Sequence, residues 1–463
     1  MKYETRVAVL GGGVTGLCAA HYLGETIGRT NVILAEASDS LGGTTRTDEV
    51  DGFLLDWGPN GFLNREPLTL KWVEDLGLSP DMVTANEKAA HRFVLKDNVL
   101  HEVYGPPRFL LSPLLSIPGR LRLLCEPLIS TRKDESPETI WNFAARRIGR
   151  EAADTLVSSM VSGVFGGDAR QLSLQHCFPK MAAMEREFGS LFKALMAKKR
   201  ENKTASAMGP SGVLTSFKKG IGFLPREAGS ALGARAITNA KADSILRNGG
   251  HFHIKTESGD DIEAEAVVVA LPAYAAAGLL ARFDDALAKS LSSVAYADLA
   301  VVCTAYDRDS VGHDLNGFGF LIPRTEKRRA LGCLWTSSIF PNQAPDKVVL
   351  LRTMLGGFTD PDAVRLSDAE LLDVVKREIH PLLSIGKGPG MVRIYRHYRG
   401  IPQYLLHHGE VLSAIDDAEQ RHKGLFFAGN AYRGVGLNDC VVSAVRAAER
   451  CYAEFGSALR SRR

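Results

Sequence analysis

Gly11, Gly13 and Gly16 stand in the spacing G-x-G-x-x-G directly after the apolar run Val7-Ala8-Val9-Leu10. The first glycine permits a tight turn, the second lets backbone approach a pyrophosphate, and the third lets a helix pack closely on a strand. The helix this loop opens, Val14 to Leu23, would aim its N–H groups and positive dipole end at the phosphates. Glu36 lies 20 residues past Gly16, at the end of a second apolar run, Val32-Ile33-Leu34-Ala35. There a carboxylate can accept hydrogen bonds from a ribose 2′-OH and would repel a 2′-phosphate. Strand, glycine loop, helix, strand and acid together predict a dinucleotide site.

Three further segments could extend that site. Leu41-Gly42-Gly43-Thr44-Thr45-Arg46 offers paired glycines and a cation suited to a diphosphate; an ordinary turn remains open. Asp56-Trp57-Gly58-Pro59-Asn60-Gly61 could lie flat against a planar ring, although alone it reads as a plain turn. Near the end, Gly429 through Cys440 combines a strand end, a glycine-rich turn and a helix start. Such an N-terminus can stabilise charge that accumulates on a reduced ring, or serve as another phosphate loop. The sequence contains no G-x-S-x-G elbow, no H-E-x-x-H and no Walker loop. His251, His253, His407 and His408 read as surface or core residues rather than metal ligands, and Cys18 reads as core packing. A bound cofactor must therefore carry the reaction, with the protein supplying orientation and electrostatics.

The elements that position these residues follow from the same pattern. Arg92 to Leu95 and Val99 to Val103 flank Lys96-Asp97-Asn98 as a hairpin. Residues from Pro106 to about Lys199 read as helical and proline-punctuated, and Glu201 through Gly212 as an exposed linker. Phe252 to Thr256 and Ile262 to Ala266 form a second hairpin, followed by a buried strand Val267 to Ala270. Residues 291 to 358 suggest a second sheet. Leu425 to Ala428 is the last buried strand, and a helix runs from about Asn438 to Phe455. Both ends of the chain thus build one nucleotide domain around inserted material.

The 463 residues suggest about three domains at roughly 150 residues each. Apolar residues make up 45% and charged residues 24%, which excludes a disordered or many-span membrane protein. The net charge of +3 gives no general nucleic-acid footprint. Seven scattered cysteines without a C-x-x-C pair argue against a disulfide framework and for a reducing compartment. No secretory leader is expected, and no run of 18 apolar residues occurs. A cytoplasmic location is expected.

Taken together the motifs resemble the flavin amine-oxidase superfamily and, within it, the family of oxygen-dependent protoporphyrinogen oxidases and coproporphyrinogen III oxidases. The segments that carry the resemblance span the chain in order. They are Val9 to Leu17, Gly58 to Leu63, Val161-Ser162-Gly163-Val164-Phe165-Gly166-Gly167-Asp168, Leu172-Ser173 with Phe178-Pro179, Gly317 to Pro323, Ile401-Pro402-Gln403-Tyr404, and Gly429 to Cys440.

The resemblance implies an α/β fold with an α+β insertion. A discontinuous, Rossmann-like FAD domain would comprise residues 1–88, 209–282 and 398–463. A mixed-sheet substrate domain would comprise 89–107 and 283–397, and a helical membrane-docking insertion 108–208. It implies FAD contacts at Gly11, Gly12, Gly13, Val14, Thr15, Gly16, Glu36, Ala37, Thr44, Gly58, Pro59, Asn60, Gly61, Ala242, Val435, Gly436 and Leu437. Substrate contacts fall on Arg92, as a propionate clamp, and on Leu321, Leu334 and Met354 at the ring faces. Met354 and His397 stand where relatives carry phenylalanine and tryptophan. No metal and no catalytic acid are implied.

The expected reaction is oxidation of protoporphyrinogen IX by FAD and dioxygen in three two-electron cycles. The alternatives are coproporphyrinogen III, another amine-oxidase-type substrate, or a non-catalytic dinucleotide-binding scaffold. The apolar stretch Phe109 to Leu124, with Arg120 and Arg122 near lipid phosphates, would lie in a membrane interface or else form core helices. A homodimer is allowed.

Overall fold

The computed structural model describes residues 1–105, 108, 112–134, 136–201 and 212–460. The side chains of residues 198–201 and 456–460 are likewise left undescribed. The expected linker from 202 to 211 and Phe109, Leu110 and Leu111 of the apolar stretch lie outside the described residues.

The strand Lys2–Leu10 is central because its second half is apolar on both faces: Val7, Ala8, Val9 and Leu10 are all buried. It pairs in parallel with Val32–Ala35 on one side and Asp261–Val269 on the other. Asp261–Val269 changes partners along its length. Its first part pairs antiparallel with His251–Thr256, and its last three residues pair in parallel with Leu425–Phe427. The sequence reading separated a hairpin arm from a following strand at Val267. One nine-residue strand does both jobs, because it alternates buried and half-buried positions where it is hairpin and is buried throughout where it is central.

The helices Val14–Ile27 and Leu437–Arg460 cover one face of this sheet through Leu17, Ala20, Leu23, Val441, Ala444 and Ala448. Ala273–Leu280 and His408–Arg421 cover the other through Leu280, Val411 and Ile415. Strands from the first, middle and last thirds of the chain therefore share one sheet.

A second seven-stranded sheet runs in the order Met391–Gln403, Ala295–Asp307, Val348–Gly356, Ala330–Leu334, Gly319–Leu321, Phe93–Lys96 and Val99–Glu102. It is mixed, since Gly319–Leu321 runs parallel to Phe93–Lys96 and the other pairs are antiparallel. The hairpin at 97–98 turns through two positive-φ residues, Asp97 at 52° and Asn98 at 62°, which matches the strand twist. One face packs on Val374, Val375 and Leu383. The other face builds the site.

The helical segment between the sheets is organised on a buried charge pair. Arg147 and Glu126 are both fully buried. The Arg147 guanidinium contacts Glu126 through Nε, at 2.9 Å, and through Nη2, and donates to the carbonyls of Ile129 and Gly189. Glu126 also accepts from the Ser190 hydroxyl and the N–H groups of Leu191 and Phe192. Burial alone would raise the Glu126 pKa, but these donors outweigh it and hold the carboxyl below its ordinary value of 4.5.

Arg120 and Arg122 both spend donors inside the protein. Arg120 donates to the Leu115 carbonyl, and Arg122 donates to the carbonyls of Arg146 and Arg147, capping the helix Ile140–Ile148. The last carbonyls of a helix need donors, and the Arg122 guanidinium lies within reach. No helix among the described residues is long and apolar enough to cross a membrane.

Candidate active site

The opening glycine loop is fixed by steric necessity. Gly11 takes φ +105°, and a Cβ there would lie 2.6 Å from the Ala270 carbonyl oxygen. A Cβ on Gly16 would lie 1.8 Å from the Gly11 carbonyl, so the helix seats directly on the strand. Gly13 differs, since a Cβ there would meet nothing within 4 Å. It caps the helix Val14–Ile27 without any side-chain hydrogen bond, leaving the first N–H groups free to meet a ligand. The second glycine pair closes over this loop: Gly42 N–H donates to the Gly12 carbonyl at 2.8 Å, and Gly42 forms a parallel bridge with Gly13.

Glu36 sits where the sequence placed it. Its carboxylate accepts from Gly12 N–H at 2.6 Å and from the Ser38 N–H and hydroxyl, which orients it while leaving acceptor capacity. Ala37 and Thr44 are exposed at the rim. Ala242 is half-buried in its strand, but Ala240 rather than Ala242 hydrogen-bonds Glu36, donating to its carbonyl at 2.8 Å. Arg46 bonds Ser38 and Ser40 and stands over the Trp57 ring.

The loop Gly58–Gly61 packs edge-on. A Cβ on Gly58 would lie 2.5 Å from the Thr44 carbonyl, and one on Gly61 2.5 Å from the Thr215 carbonyl. At the closing turn, Gly436 N–H is already bonded to the Asp439 carboxylate at 3.1 Å, so it is not a free donor as the sequence reading required. Among the described residues, the Val435 and Leu437 N–H groups have no acceptor. Burial pushes the Asp439 pKa up.

These features fit a flavin dinucleotide. Gly13 opens onto a space that a side chain would fill. Arg46 Nε, Asn60 Nδ2 and Asn438 Oδ1 are buried without a partner, in the segments that flank the glycine loops.

The substrate candidates converge by sheet register. Val94, Leu321, Gly332, Met354, Val301 and Tyr395 form one row across the second sheet, and Gly319, Leu334, Arg352 and Cys303 form the next row on the same face. Arg92 precedes Val94 by two residues and shares that face. One end of this face is covered by the helical segment, where Val94 packs on Leu114, Leu115 and Leu123. The other end is covered by the hairpin of Thr47–Val50 and Phe53–Asp56, whose Phe53 and Leu55 pack on Val301 and Cys303. Leu321, Leu334 and Met354 on this face are half-buried, Met354 packing against the cluster of Phe53 and Leu55 and Leu334 against Ile339 and Phe340. Leu321 also reaches the helix Ser158–Phe165, where a Cβ on Gly163 would lie 2.6 Å from it.

The Arg92 guanidinium stands 5.3 Å over the Phe318 ring and has no carboxylate partner among the described residues. Solvent touches it, yet surrounding protein displaces enough water to lower its pKa. It remains a cation.

Arg352 was missed, and His397 was named without a partner. Arg352 Nη2 donates to the Trp57 carbonyl at 3.0 Å and also contacts the Gly58 carbonyl, and His397 Nε2 lies 2.9 Å from the Trp57 carbonyl. A charged residue inside the apolar strand Val-Val-Leu-Leu-Arg-Thr-Met-Leu was the available signal for Arg352. Burial lowers the His397 pKa, which keeps the imidazole neutral and able to donate from Nε2. His408 is buried against the Tyr432 carbonyl, and burial lowers its pKa to about 4. Burial also pushes the Cys18 thiol well up, as a packing residue requires.

A Rossmann-like sheet carrying these glycine loops, together with a mixed sheet that presents a half-buried apolar face, defines a flavin-dependent oxidoreductase. The chain belongs to the flavin containing amine oxidoreductase family, whose sequence profile matches residues 14–452. FAD is its cofactor. The chain is 31% identical to protoporphyrinogen oxidase 1, chloroplastic, of Arabidopsis thaliana, over 96% of this chain and 87% of that protein. It is 28% identical to coproporphyrinogen III oxidase of Bacillus subtilis, over 95% of this chain and 96% of that protein. A crystal structure from Exiguobacterium sp. 255-15 superposes with a TM-score of 0.84 at 25% identity, covering 97% of this chain and 99% of that one.

Proposed function

We propose that this chain oxidises protoporphyrinogen IX to protoporphyrin IX, with dioxygen as the final acceptor. One observation carries the reading: an unpaired cation, Arg92, shares a sheet face with the apolar residues Leu321, Leu334 and Met354, and that face ends at the Trp57–Gly61 loop. When bound, FAD supplies the two-electron acceptor that dioxygen reoxidises. Arg92 anchors a propionate through its planar fork. Leu321 and Leu334 orient the macrocycle, and Met354 adapts to the ring face through its flexible thioether. The cofactor lies along Gly11 to Gly16, Glu36, Ala37, Thr44, Gly58 to Gly61, Ala242 and Val435 to Leu437. No side chain on this face needs to act as a strong acid, because aromaticity favours the product.

The test is aerobic porphyrin fluorescence from protoporphyrinogen IX and, separately, from coproporphyrinogen III. Faster turnover of the first is expected. A colourless protein that takes up no FAD would overturn the reading. Replacing Arg92 with alanine should raise KM about tenfold or more and change kcat little, because the lost contact binds substrate and transition state alike. Unchanged KM removes Arg92 from the site.

The domain division given above, with its insertion at 108–208, is part of this proposal. Within the insertion, the helix Ile117–Leu124 exposes Ile117 (71%), Leu121 (58%) and Leu124 (48%) at positions i, i+4 and i+7, and Leu128 (83%) continues the stripe. This stripe would rest in the interfacial layer of a bilayer and deliver a poorly soluble substrate. Leu121→Asp should sharply reduce co-sedimentation with phospholipid vesicles while leaving porphyrin formation in detergent intact. Unaltered sedimentation would refute docking through this helix.

A further inference from the structure

Arg352 is 5% exposed in the middle of a strand whose neighbours are apolar. Burying a cation is costly unless it is paired. Yet among the described residues no carboxylate comes within ion-pair distance of it. Asp56 is the acid whose field reaches it, but the Asp56 carboxylate is taken up by the Thr47 hydroxyl, the Gln343 amide and the Ile221 N–H. What Arg352 binds instead are two backbone carbonyls, those of Trp57 and Gly58. Its Nε is buried without a partner, as is Trp57 Nε1 beside it. His397, two strands away on the same face, reaches the same Trp57 carbonyl.

A trans peptide directs its C=O and N–H to opposite sides. With the Trp57 carbonyl drawn down onto the sheet, the Gly58 N–H turns away from it. That N–H has no acceptor among the described residues, and Pro59 has no N–H of its own to offer a ligand. We propose that Arg352 is the positioning residue of this loop. It clamps the Trp57 and Gly58 carbonyls so that the Gly58 N–H faces the cofactor ring, and it sets a fixed positive charge beneath that ring. The inference rests on the reading that FAD lies along Gly58–Gly61. A cation at this place favours the electron-rich, reduced ring over the oxidised one.

The experiment compares FAD affinity and the two-electron midpoint potential of bound FAD in wild type, Arg352→Met, Arg352→Lys and Arg352→Gln. Arg352→Met should bind FAD at least tenfold more weakly and shift the potential negative by about 30 mV, the equivalent of a tenfold change in the reduction equilibrium. Arg352→Lys should keep the potential near wild type while FAD affinity falls, because charge survives and the fork does not. Wild-type affinity and potential in Arg352→Met overturn the proposal. Should that variant fail to fold, equal potentials in Arg352→Lys and Arg352→Gln overturn it. Failure of the functional reading looks different: wild type then takes up no FAD or forms no porphyrin, whatever stands at 352.

Discussion

Gly13→Ala will yield a folded protein that loses FAD, whereas Gly16→Ala will yield one that does not pack. The two glycines belong to the same loop, yet they face different neighbours. A methyl group at Gly13 meets no protein atom within 4 Å, and its φ of −73° with ψ 177° suits any L-residue. The methyl group therefore intrudes only on the open space proposed above for the diphosphate. FAD affinity should fall roughly 10- to 100-fold, or about 1.4 to 2.7 kcal/mol, with the unfolding midpoint of the FAD-free protein unchanged. At Gly16 the methyl would sit 1.8 Å from the Gly11 carbonyl, so helix and strand must separate. Overpacking of that kind costs on the order of 1–3 kcal/mol or more, and the FAD-free midpoint should drop. Calorimetry of both FAD-free variants, paired with flavin titration, separates the cases. If Gly13→Ala binds FAD normally, the diphosphate does not pass this loop.

Glu126→Gln should destabilise the helical segment by about 3 kcal/mol, the low end for breaking a buried ion pair, because Arg147 then keeps only Glu185, at 3.4 Å. Glu126 organises Arg147, Ser190 and the turn into the helix Leu191–Glu201 at once, so its loss frees several donors together. Replacing both partners, Glu126→Leu with Arg147→Met, should recover most of the loss, because no unpaired charge remains. Urea unfolding of the single and double variants measures both, and a double variant as unstable as the single would show that packing rather than charge dominates.

The same pair fixes the response to acid. The folded pKa values of Glu126 and Glu185 are depressed below the ordinary 4.5, burial being outweighed by Ser190 and neighbouring N–H donors in the first and by Arg146 and Arg147 in the second. The stability they contribute is complete above that ordinary value and is lost as pH falls through the depressed ones. Thermal midpoints should therefore be flat near neutrality and fall below pH 4.5. A midpoint unaffected by acid would contradict this linkage.

Much of the cofactor site was legible in residue order because its constraints are local. The Gly11–Gly16 spacing, the two buried strands and Glu36 are fixed by backbone sterics and by strand and helix period within 36 residues. The hairpin at Asp97-Asn98 was legible for the same reason. Other features depended on partners far along the chain. Arg92, Leu321, Leu334 and Met354 become one surface only because sheet register places residues 94, 321, 332 and 354 side by side. Arg352 and His397 meet the Trp57 carbonyl across about 300 residues. Arg122 caps a helix far along the chain because unsatisfied carbonyls lie beside it. The sequence by itself determined which segments turn and pair, since those follow from φ, ψ and hydrophobic period. The tertiary structure alone decided which charges are spent inside the protein and which face a ligand, since that depends on neighbours that only folding brings together.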